Sequence, residues 1–273
     1  MSKFSEALED FLKAYESGDS KKLSDASLSL GKTLDARIRS LNRRIDKNKT
    51  QEKPVGAAAL PIKQVLPGWS PDYLRKLGDI KTIVDIGVLN GTPALYEAFP
   101  DAYLVLVEAL PNYWDKCDEI LRARRGEAYR CAAGAEDNEI EINFLKDAPA
   151  RSSILEHVVG GSDNKEKIKT KIRKIDTMFR DKVFEKDILL KIDTEGYEYE
   201  IINGGAQFLE KVKFVIAETS VRLRHENSYQ FSDLVTLMKK NGFDVYDVLT
   251  ATRNKARDPG VSIMDLVFRN SKI

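Results

Sequence analysis

The sequence contains little cysteine and no long hydrophobic run. Cys117 falls among helical residues and Cys131 in a strand-like segment, and no other cysteine is present. This scarcity argues against a disulfide framework and against a cysteine zinc site, so we expect a reducing compartment. No stretch approaches the ~18 apolar residues of a membrane helix, and the first residues are charged throughout, unlike a secretion signal. These absences predict a soluble, cytoplasmic protein with no membrane partner.

An excess of charge of either sign is also missing. Lys and Arg total 44 against 43 Asp and Glu, which leaves a formal net charge of +1. So small a net charge produces no long-range field that would attract nucleic acid or anionic lipid. We therefore expect the partner to be a small molecule or a glycan, and we predict no nucleic-acid partner.

The N-terminal part of the chain has a different pattern from the rest. From Phe4 to about Asp46, apolar residues recur at helical spacing with a break near Gly18, which predicts a pair of helices. The proline-containing stretch that follows indicates a linker. We predict a helical N-terminal extension and linker at residues 1–66, suited to helix packing or to a homo-oligomer. A single larger domain should follow at residues 67–273.

After the linker, short apolar runs alternate with helical segments. The runs KTIVDIG, AYLVLVE, DILLKID and KFVIAETS are nearly continuous in apolar residues, which is typical of buried parallel strands. AYRCAA is the predicted third strand, and EYEIINGGAQFLEKV has the pattern of a helix. FDVYDVL and SIMDLVF close the chain, whereas EIEINFL and KTKIRKI alternate like the strands of an inserted antiparallel hairpin. This order predicts a Rossmann-like, doubly wound α/β fold.

The first of these strands ends in a carboxylate and a glycine, Asp85-Ile86-Gly87. At the carboxyl edge of a parallel sheet, such a loop lies beside the N-terminus of the next helix, where α/β proteins bind ligands. Glu108 ends the following strand, 21 residues after Gly87, where a carboxylate can accept hydrogen bonds from both hydroxyls of a ribose. NAD and S-adenosylmethionine (SAM) proteins share this spacing, and a similar turn occurs in α/β folds that bind no ligand.

The residues of this loop favour SAM over a nicotinamide cofactor. The sequence from Gly87 to Gly91 lacks the G-x-G-x-x-G pattern that brings backbone amides against a pyrophosphate. SAM has no phosphate but carries an ammonium and a sulfonium group, so the carboxylate of Asp85 suits its amino acid end. We therefore predict SAM as the cofactor, bound by residues of the loop and of the second strand end: Asp85, Gly87, Asn90, Gly91, Glu108 and Ala109.

A second cluster of charges lies in and after the strand DILLKID. Lys191 and Asp193 share one face of a strand that should be central in the sheet, where charges require a partner or a role. The two side chains can form a buried ion pair with each other or with a neighbour. The two interpretations are compatible, because an ion pair can also orient a catalytic carboxylate.

This cluster resembles the signature of the FkbM methyltransferase family. LLKIDTEGYEYEIINGGAQFL, followed by KFVIAETS, is similar to the family's K-I-D-x-E-G-x-E-x-x-x-L-x-G-A motif with its acidic strand end. VDIGVLNG resembles the family's D-x-G-A-N-x-G loop, and Glu108 matches its second-strand acid. Val88-Leu89 replace the usual Ala-Asn, and Ala109 stands where an acid-Pro pair is common. The resemblance extends over about residues 82–268.

The resemblance implies a class I methyltransferase fold, with a seven-stranded, mostly parallel sheet and helices on both faces. It also implies a SAM-dependent O-methyltransferase that acts on a hydroxyl of a sugar, a glycan or a glycosylated metabolite, as in polysaccharide biosynthesis. Two alternatives stay open: a non-catalytic scaffold that binds partners through its N-terminal helices, and a nicotinamide-dependent oxidoreductase. The oxidoreductase requires the pyrophosphate loop that the sequence lacks.

Methyl transfer to a hydroxyl requires an aligned acceptor and a group that takes its proton. Asp193 and Glu195 are candidates because they lie at the carboxyl end of their strand, and Lys191 can orient Asp193. The imidazole of His225, in the loop after the next strand, is a further candidate base, although the pattern is also typical of a surface histidine. Asp193 and Glu218 can hold a divalent cation, but scattered acids are weak support and we predict no metal.

Overall fold

The computed structural model describes residues 3–17, 21–22, 25–27, 29–34, 66–158, 164–253 and 260–273. Contacts between residues divide the chain into two compact units, Met1–Leu66 and Pro67–Ile273. In the first unit, helix α1 spans Lys3–Glu16, and residues 21–22, 25–27 and 29–34 are also helical. Residues 35–46 of the predicted helical pair and nearly all of the linker lie outside the described residues, so a role in self-association stays a prediction. Among the described helices, none has the length and apolar character needed to cross a bilayer.

The second unit is built on a seven-stranded sheet. Its strands are β1 Thr82–Ile86, β2 Tyr103–Val107, β3 Gly126–Tyr129, β7 Ile188–Ile192, β8 Val212–Ser220, β9 Phe243–Arg253 and β10 Val261–Asn270. They are ordered β3-β2-β1-β7-β8-β10-β9, so β7 is central, as predicted. Neighbours from β3 to β8 are parallel, and β10 is antiparallel to both β8 and β9. This topology confirms the predicted Rossmann-like fold.

A separate three-stranded sheet is inserted between β3 and β7. It consists of β4 Ala132–Ala133, β5 Asn138–Leu145 and β6 Lys165–Arg173 in the order β4-β6-β5. β5 and β6 are antiparallel in continuous register, which confirms the predicted hairpin. The predicted third strand AYRCAA is wrong in part. Only its start belongs to β3, because the chain leaves the large sheet after Tyr129 and Ala132–Ala133 pair with β6 instead.

Helices connect the strands on both faces of the large sheet. They are α2 Pro71–Leu74, α3 Pro93–Ala98, α4 Trp114–Arg122, α5 Ile175–Met178, α6 Glu198–Asn203, α7 Ala206–Leu209 and α8 Phe231–Lys240. α2, α3 and α4 contribute to one apolar cluster with side chains of β1 and β2, while α6 and α8 contact β8. From β1 the chain proceeds across the sheet to β2 and β3, whereas from β7 it proceeds in the opposite direction to β8. Because such crossovers are right-handed, the helices of the two halves lie on opposite faces of the sheet.

A pair of glycines divides the helix that the sequence predicts after β7. α6 ends at Asn203, and α7 begins at Ala206. A Cβ atom at Gly204 would overlap the carbonyl oxygen of Gly134, at the start of the inserted sheet. The prediction of one continuous helix is therefore wrong, and the glycine permits two backbones to approach closely.

Candidate functional site

The loops that follow β1 and β7 are in direct contact at the carboxyl edge of the sheet. The Asp193 amide donates a hydrogen bond to the Ile86 carbonyl at 3.1 Å, which continues the pairing of the two strands. Gly87 has a φ of 79°, and a Cβ atom there would overlap the Asp193 carbonyl oxygen. A glycine is therefore required at position 87 by backbone conformation and by the contact between the two loops.

A cavity of about 740 Å³, counting the part open to solvent, lies at this edge of the sheet. Its walls come from the ends of β1 and β2, from the inserted sheet with the segment after β5, and from the loop after β7. The lining residues include Gly87, Leu89, Glu108, Ala109, Ala132, Ile142, Ser153, Asp193 and Glu195. Its lining combines apolar side chains with a few carboxylates, which is the composition typical of small-molecule sites.

Glu108 places a fixed carboxylate in the wall of this cavity. Its side chain is almost fully buried, and it accepts hydrogen bonds from the Leu89 amide at 2.7 Å and the Leu110 amide at 2.8 Å. Burial raises the pKa of Glu108, and the two amides limit that rise. Because a carboxylate can accept about four hydrogen bonds, Glu108 keeps acceptor positions for a ligand.

Asp85 lies beneath the loop and not in the wall of the cavity. It is completely buried, and its Oδ2 accepts hydrogen bonds from the Thr92 hydroxyl at 2.9 Å and the Tyr96 hydroxyl at 2.6 Å. The sequence does not indicate these two partners, because they lie in and before a short helix without a polar motif. With its carboxylate enclosed in this way, a direct contact between Asp85 and a cofactor stays a prediction.

The other predicted cofactor residues are divided between the cavity and its surroundings. Gly87 and Ala109 line the cavity, whereas Asn90 and Gly91 do not. Asn90 is exposed, and Gly91, with a φ of 90°, packs against side chains of α3 and α4. Leu89 lines the cavity in a left-handed conformation with a φ of 48°. An apolar loop residue carries no sequence signal for ligand binding, so the sequence did not predict that Leu89 lines the cavity.

Lys191 connects the two loops through a buried ammonium group. Its Nζ donates a hydrogen bond to the Gly87 carbonyl at 2.8 Å and lies 3.0 Å from Asp85 Oδ1 and 3.5 Å from Asp193 Oδ2. Burial lowers the pKa of Lys191, but the charges of Asp85 and Asp193 raise it more, so the net shift is upward. Lys191 thus forms both kinds of ion pair that the sequence suggested, one with Asp193 and one with a neighbour.

Asp193 is the accessible member of this group. Its side chain is 44% exposed and lines the cavity, whereas the side chains of Lys191 and Asp85 are 5% and 0% exposed. A molecule in the cavity can therefore reach Asp193 but not the other two charges.

Glu195 lines the cavity within an ion-pair network. Arg224 Nη2 contacts Glu195 Oε2, and Arg224 Nη1 donates a hydrogen bond to Glu218 Oε2 at 3.1 Å. Burial, followed by the charge of Asp193, raises the pKa of Glu218 well above its ordinary value. Arg224 follows β8 in a polar loop without periodicity, so the sequence did not show that it bridges two carboxylates.

The family of the chain follows from its sequence match. Residues 85–245 match the family described as the methyltransferase FkbM domain, which covers more than half of the 273 residues. The chain belongs to the FkbM methyltransferase family. The match confirms the resemblance that the Lys191-Ile192-Asp193 cluster carries, and it includes both Glu108 and Asp193.

Solved methyltransferase structures are similar to this FkbM methyltransferase at low identity. Precorrin-6y C5,15-methyltransferase from Geobacter metallireducens is 12% identical, with a TM-score of 0.39 over 79% of this chain and 94% of that chain. Magnesium protoporphyrin IX methyltransferase from Synechocystis, with bound SAM, is 10% identical, with a TM-score of 0.40 over 74% and 76%. Fibrillarin from Aeropyrum pernix, in complex with SAM, is 13% identical, with a TM-score of 0.39 over 70% and 67%. A search of curated proteins finds no match.

His225 of this FkbM methyltransferase does not line the cavity. Its ring is completely buried, so the interpretation as a surface histidine is wrong, and its role as a base stays a prediction. Burial, and after it the charge of His157, lowers the pKa of His225 to about 3. The two rings lie 4.4 Å apart, and neither nitrogen of His225 has a hydrogen-bond partner among the described residues. A neutral ring enclosed by protein argues against proton transfer by His225.

The predicted ligands for a divalent cation already contact basic side chains in this FkbM methyltransferase. Asp193 lies beside Lys191, and Glu218 accepts a hydrogen bond from Arg224. Within the described ranges, no group of three or more His, Cys, Asp or Glu residues is arranged to hold a metal ion. The described residues therefore add no support to the weak metal hypothesis.

Proposed function

We propose that this FkbM methyltransferase binds SAM in the cavity and transfers its methyl group to a hydroxyl of a sugar, a glycan or a glycosylated metabolite. The observation that carries the proposal is that Glu108 and Asp193, from different strands, face one cavity. A carboxylate suited to a ribose and a carboxylate suited to an acceptor hydroxyl are therefore available at the same site.

The chemistry of the cavity wall fits SAM. The Glu108 carboxylate is fixed by two amides and retains acceptor positions for the ribose hydroxyls. Leu110, Ala132 and Ile142 supply an apolar part of the wall that suits an adenine ring. When bound, SAM supplies the electrophilic methyl group.

Asp193 is the residue that we expect to orient the acceptor hydroxyl and to accept its proton. Its carboxylate is accessible from the cavity, and Lys191 Nζ, 3.5 Å away, restrains it from the buried side. With SAM bound, the acceptor oxygen would form its bond to the methyl carbon as the methyl–sulfur bond breaks and S-adenosylhomocysteine leaves, and the Asp193 carboxylate would accept the hydroxyl proton. Glu195 faces the same cavity, but its carboxylate contacts Arg224 and its side chain is 11% exposed, against 44% for Asp193, so it is the less accessible candidate.

A hydroxyl-rich acceptor is supported by the family resemblance and by the charges of the site. Asp193 and Glu195 present carboxylate oxygens, which accept hydrogen bonds from hydroxyl groups. Lys191 and Arg224, the basic residues described next to them, already contact carboxylates. The described site therefore suits a neutral polyol better than an anionic group.

Two measurements test this function. Calorimetric titration should show SAM binding with a Kd of about micromolar strength and no heat from NADH. Incubation with methyl-labelled SAM and a panel of sugars and glycosides should then transfer the label to an oxygen atom, as mass spectrometry and NMR can establish. Silence towards SAM would overturn the cofactor assignment and favour the scaffold, and methylation of a nitrogen or carbon atom would overturn the acceptor class.

A further inference from the structure

A buried carboxylate outside the cavity is surrounded by hydrogen-bond donors from the loop after β7. Glu198 begins α6, and its side chain does not line the cavity. Its Oε1 accepts hydrogen bonds from the amide and the hydroxyl of Thr194, both at 3.0 Å. The Gly196 amide lies 3.2 Å from Oε1 and 3.1 Å from Oε2, and the Tyr229 hydroxyl donates to Oε2 at 2.8 Å. One carboxylate thus connects two residues of the loop, Thr194 and Gly196, to Tyr229 in the segment after β8.

The loop that Glu198 holds has an unfavourable backbone conformation. Glu195 has a φ of 55°, in the left-handed region that non-glycine residues rarely adopt, and Gly196 follows with a φ of 100°. A Cβ atom at Gly196 would lie 2.6 Å from Nδ1 of the buried His225. Because such a conformation persists only when its surroundings impose it, the contacts of the loop must determine its shape.

Two serine hydroxyls hold the carbonyl groups of the same loop. Ser153, on the segment after β5, donates a hydrogen bond to the Glu195 carbonyl at 2.7 Å. Ser228 donates to the Gly196 carbonyl at 3.0 Å. The serines therefore restrain carbonyl groups, whereas Glu198 restrains the amides on either side of Glu195.

We propose that Glu198 is a positioning residue for methyl transfer, with Tyr229 as its supporting donor. It holds the loop from Asp193 to Gly196 so that the side chains of Asp193 and Glu195 face the cavity. The effect on turnover rests on the proposed function, whereas the effect on the loop does not. Glu108 follows β2, away from the loop after β7, and receives its hydrogen bonds from other amides, so Glu198 should control turnover without controlling SAM affinity.

The test compares Glu198→Gln with Glu200→Gln, a control two positions along the same helix whose carboxylate makes none of these contacts. In Glu198→Gln an NH₂ group replaces one carboxylate oxygen and faces a donor, so the loop loses part of its support. We expect kcat to fall at least about tenfold, which corresponds to the loss of one hydrogen bond to a charged group, while the Kd and KM for SAM change less than about threefold. The control should match the wild-type protein in kcat, Kd and KM.

Amide hydrogen exchange measures the protection of the loop amides directly and requires no substrate. In Glu198→Gln the amides of Thr194 and Gly196 should exchange at least about tenfold faster, while the β1 amides keep their protection. Tyr229→Phe, which keeps the aromatic ring, should show a smaller change in the same direction. In the double variant, the increase in exchange rate should be smaller than the product of the two single increases, because both substitutions act on one carboxylate.

The outcomes separate this proposal from the proposed function. Unchanged exchange at Thr194 and Gly196, or unchanged kcat in an active protein, overturns the role of Glu198. If Glu198→Gln does not fold, Tyr229→Phe decides, and wild-type exchange and turnover in that variant overturn the proposal. Failure of the wild-type protein to bind SAM or transfer a methyl group counts against the proposed function, and the exchange measurement still tests the loop.

Discussion

The ammonium nitrogen of Lys191 lies 3.0 Å from Asp85 Oδ1, and both side chains are almost completely removed from solvent. The two residues are directly opposite one another in the parallel pairing of β1 and β7. Since Lys191 also donates to the Gly87 carbonyl, one buried cation holds the loop after β1 against the strand that leads to Asp193. Removing one partner from such a pair leaves a buried charge without compensation.

Lys191→Met should therefore destabilise the fold strongly. The change leaves Asp85 buried without its cation, and we expect the free energy of unfolding to fall by about 3–5 kcal/mol. Denaturant unfolding measures this loss, and the exposed Lys186→Met serves as the control. Adding Asp85→Asn to Lys191→Met should recover part of the stability. A loss below about 1 kcal/mol for Lys191→Met would show that the pair contributes little.

Asp193→Asn should abolish turnover and leave the cofactor bound. An amide cannot accept the acceptor proton, and general base catalysis contributes about 10²–10⁴-fold to rates, so kcat should fall by about that factor. The Kd for SAM, measured by calorimetry, should stay within about threefold of the wild-type value. The exposed Asp181→Asn is the control. Retained turnover would show that Asp193 has a structural role only.

Glu108→Gln should weaken SAM binding, and because its NH₂ group faces one of the two amide donors, it should also lower the stability of the free protein. The neutral amide keeps the size of the side chain but loses charge-assisted hydrogen bonds to the ribose, so the Kd for SAM should rise more than about tenfold, or about 1.4 kcal/mol. Thermal unfolding of the free protein controls for a change in stability, and the exposed Glu210→Gln controls for charge. An unchanged Kd would remove Glu108 from the cofactor site.

The burial of His225 should make the protein sensitive to acid. Its pKa is about 3 in the folded state against an ordinary value of 6.5, so the unfolded chain takes up the proton first. The contribution of this residue to stability is complete above pH 6.5 and is lost as the pH falls towards 3, which amounts to about 2 kcal/mol at pH 5.

The variant His225→Leu isolates this effect. We expect its free energy of unfolding to fall less than that of the wild-type protein between pH 7 and pH 5, by about 2 kcal/mol. Urea unfolding at the two pH values measures the difference, and any packing loss cancels because it is present at both. If the free energy of unfolding falls equally in the two proteins between pH 7 and pH 5, His225 becomes protonated in the folded state.

The large sheet and the edge of the sheet at which the cavity lies could be predicted from the sequence. β1, β2, β7 and β8 are apolar runs whose length and composition are typical of buried parallel strands, and their order implies the doubly wound topology. The carboxyl ends of parallel strands share one edge of the sheet, so Glu108 and Asp193, which follow two such strands, had to lie at that same edge. The Lys191-Ile192-Asp193 motif was specific enough to indicate the family.

Several residues near the cavity could not be interpreted from the sequence. Arg224 and His225 are adjacent in a polar loop, yet one bridges two carboxylates and the other is enclosed by protein. Ser153 reaches Glu195 across 42 positions of sequence. Polar loops have no periodicity that would show which way a side chain points, so neighbouring residues can have opposite environments.

The sequence by itself determined most strands of the large sheet, their alternation with helices and the two acids at the carboxyl edge, because hydrophobic periodicity and the geometry of parallel sheets are local or topological properties. Only the tertiary structure decided that Asp85 is enclosed while Asp193 is accessible, and that Glu198 accepts hydrogen bonds from the amides of Thr194 and Gly196 in the loop after β7. Solvent access and hydrogen-bond partnership depend on distant segments that pack together, and no single stretch of sequence contains that information.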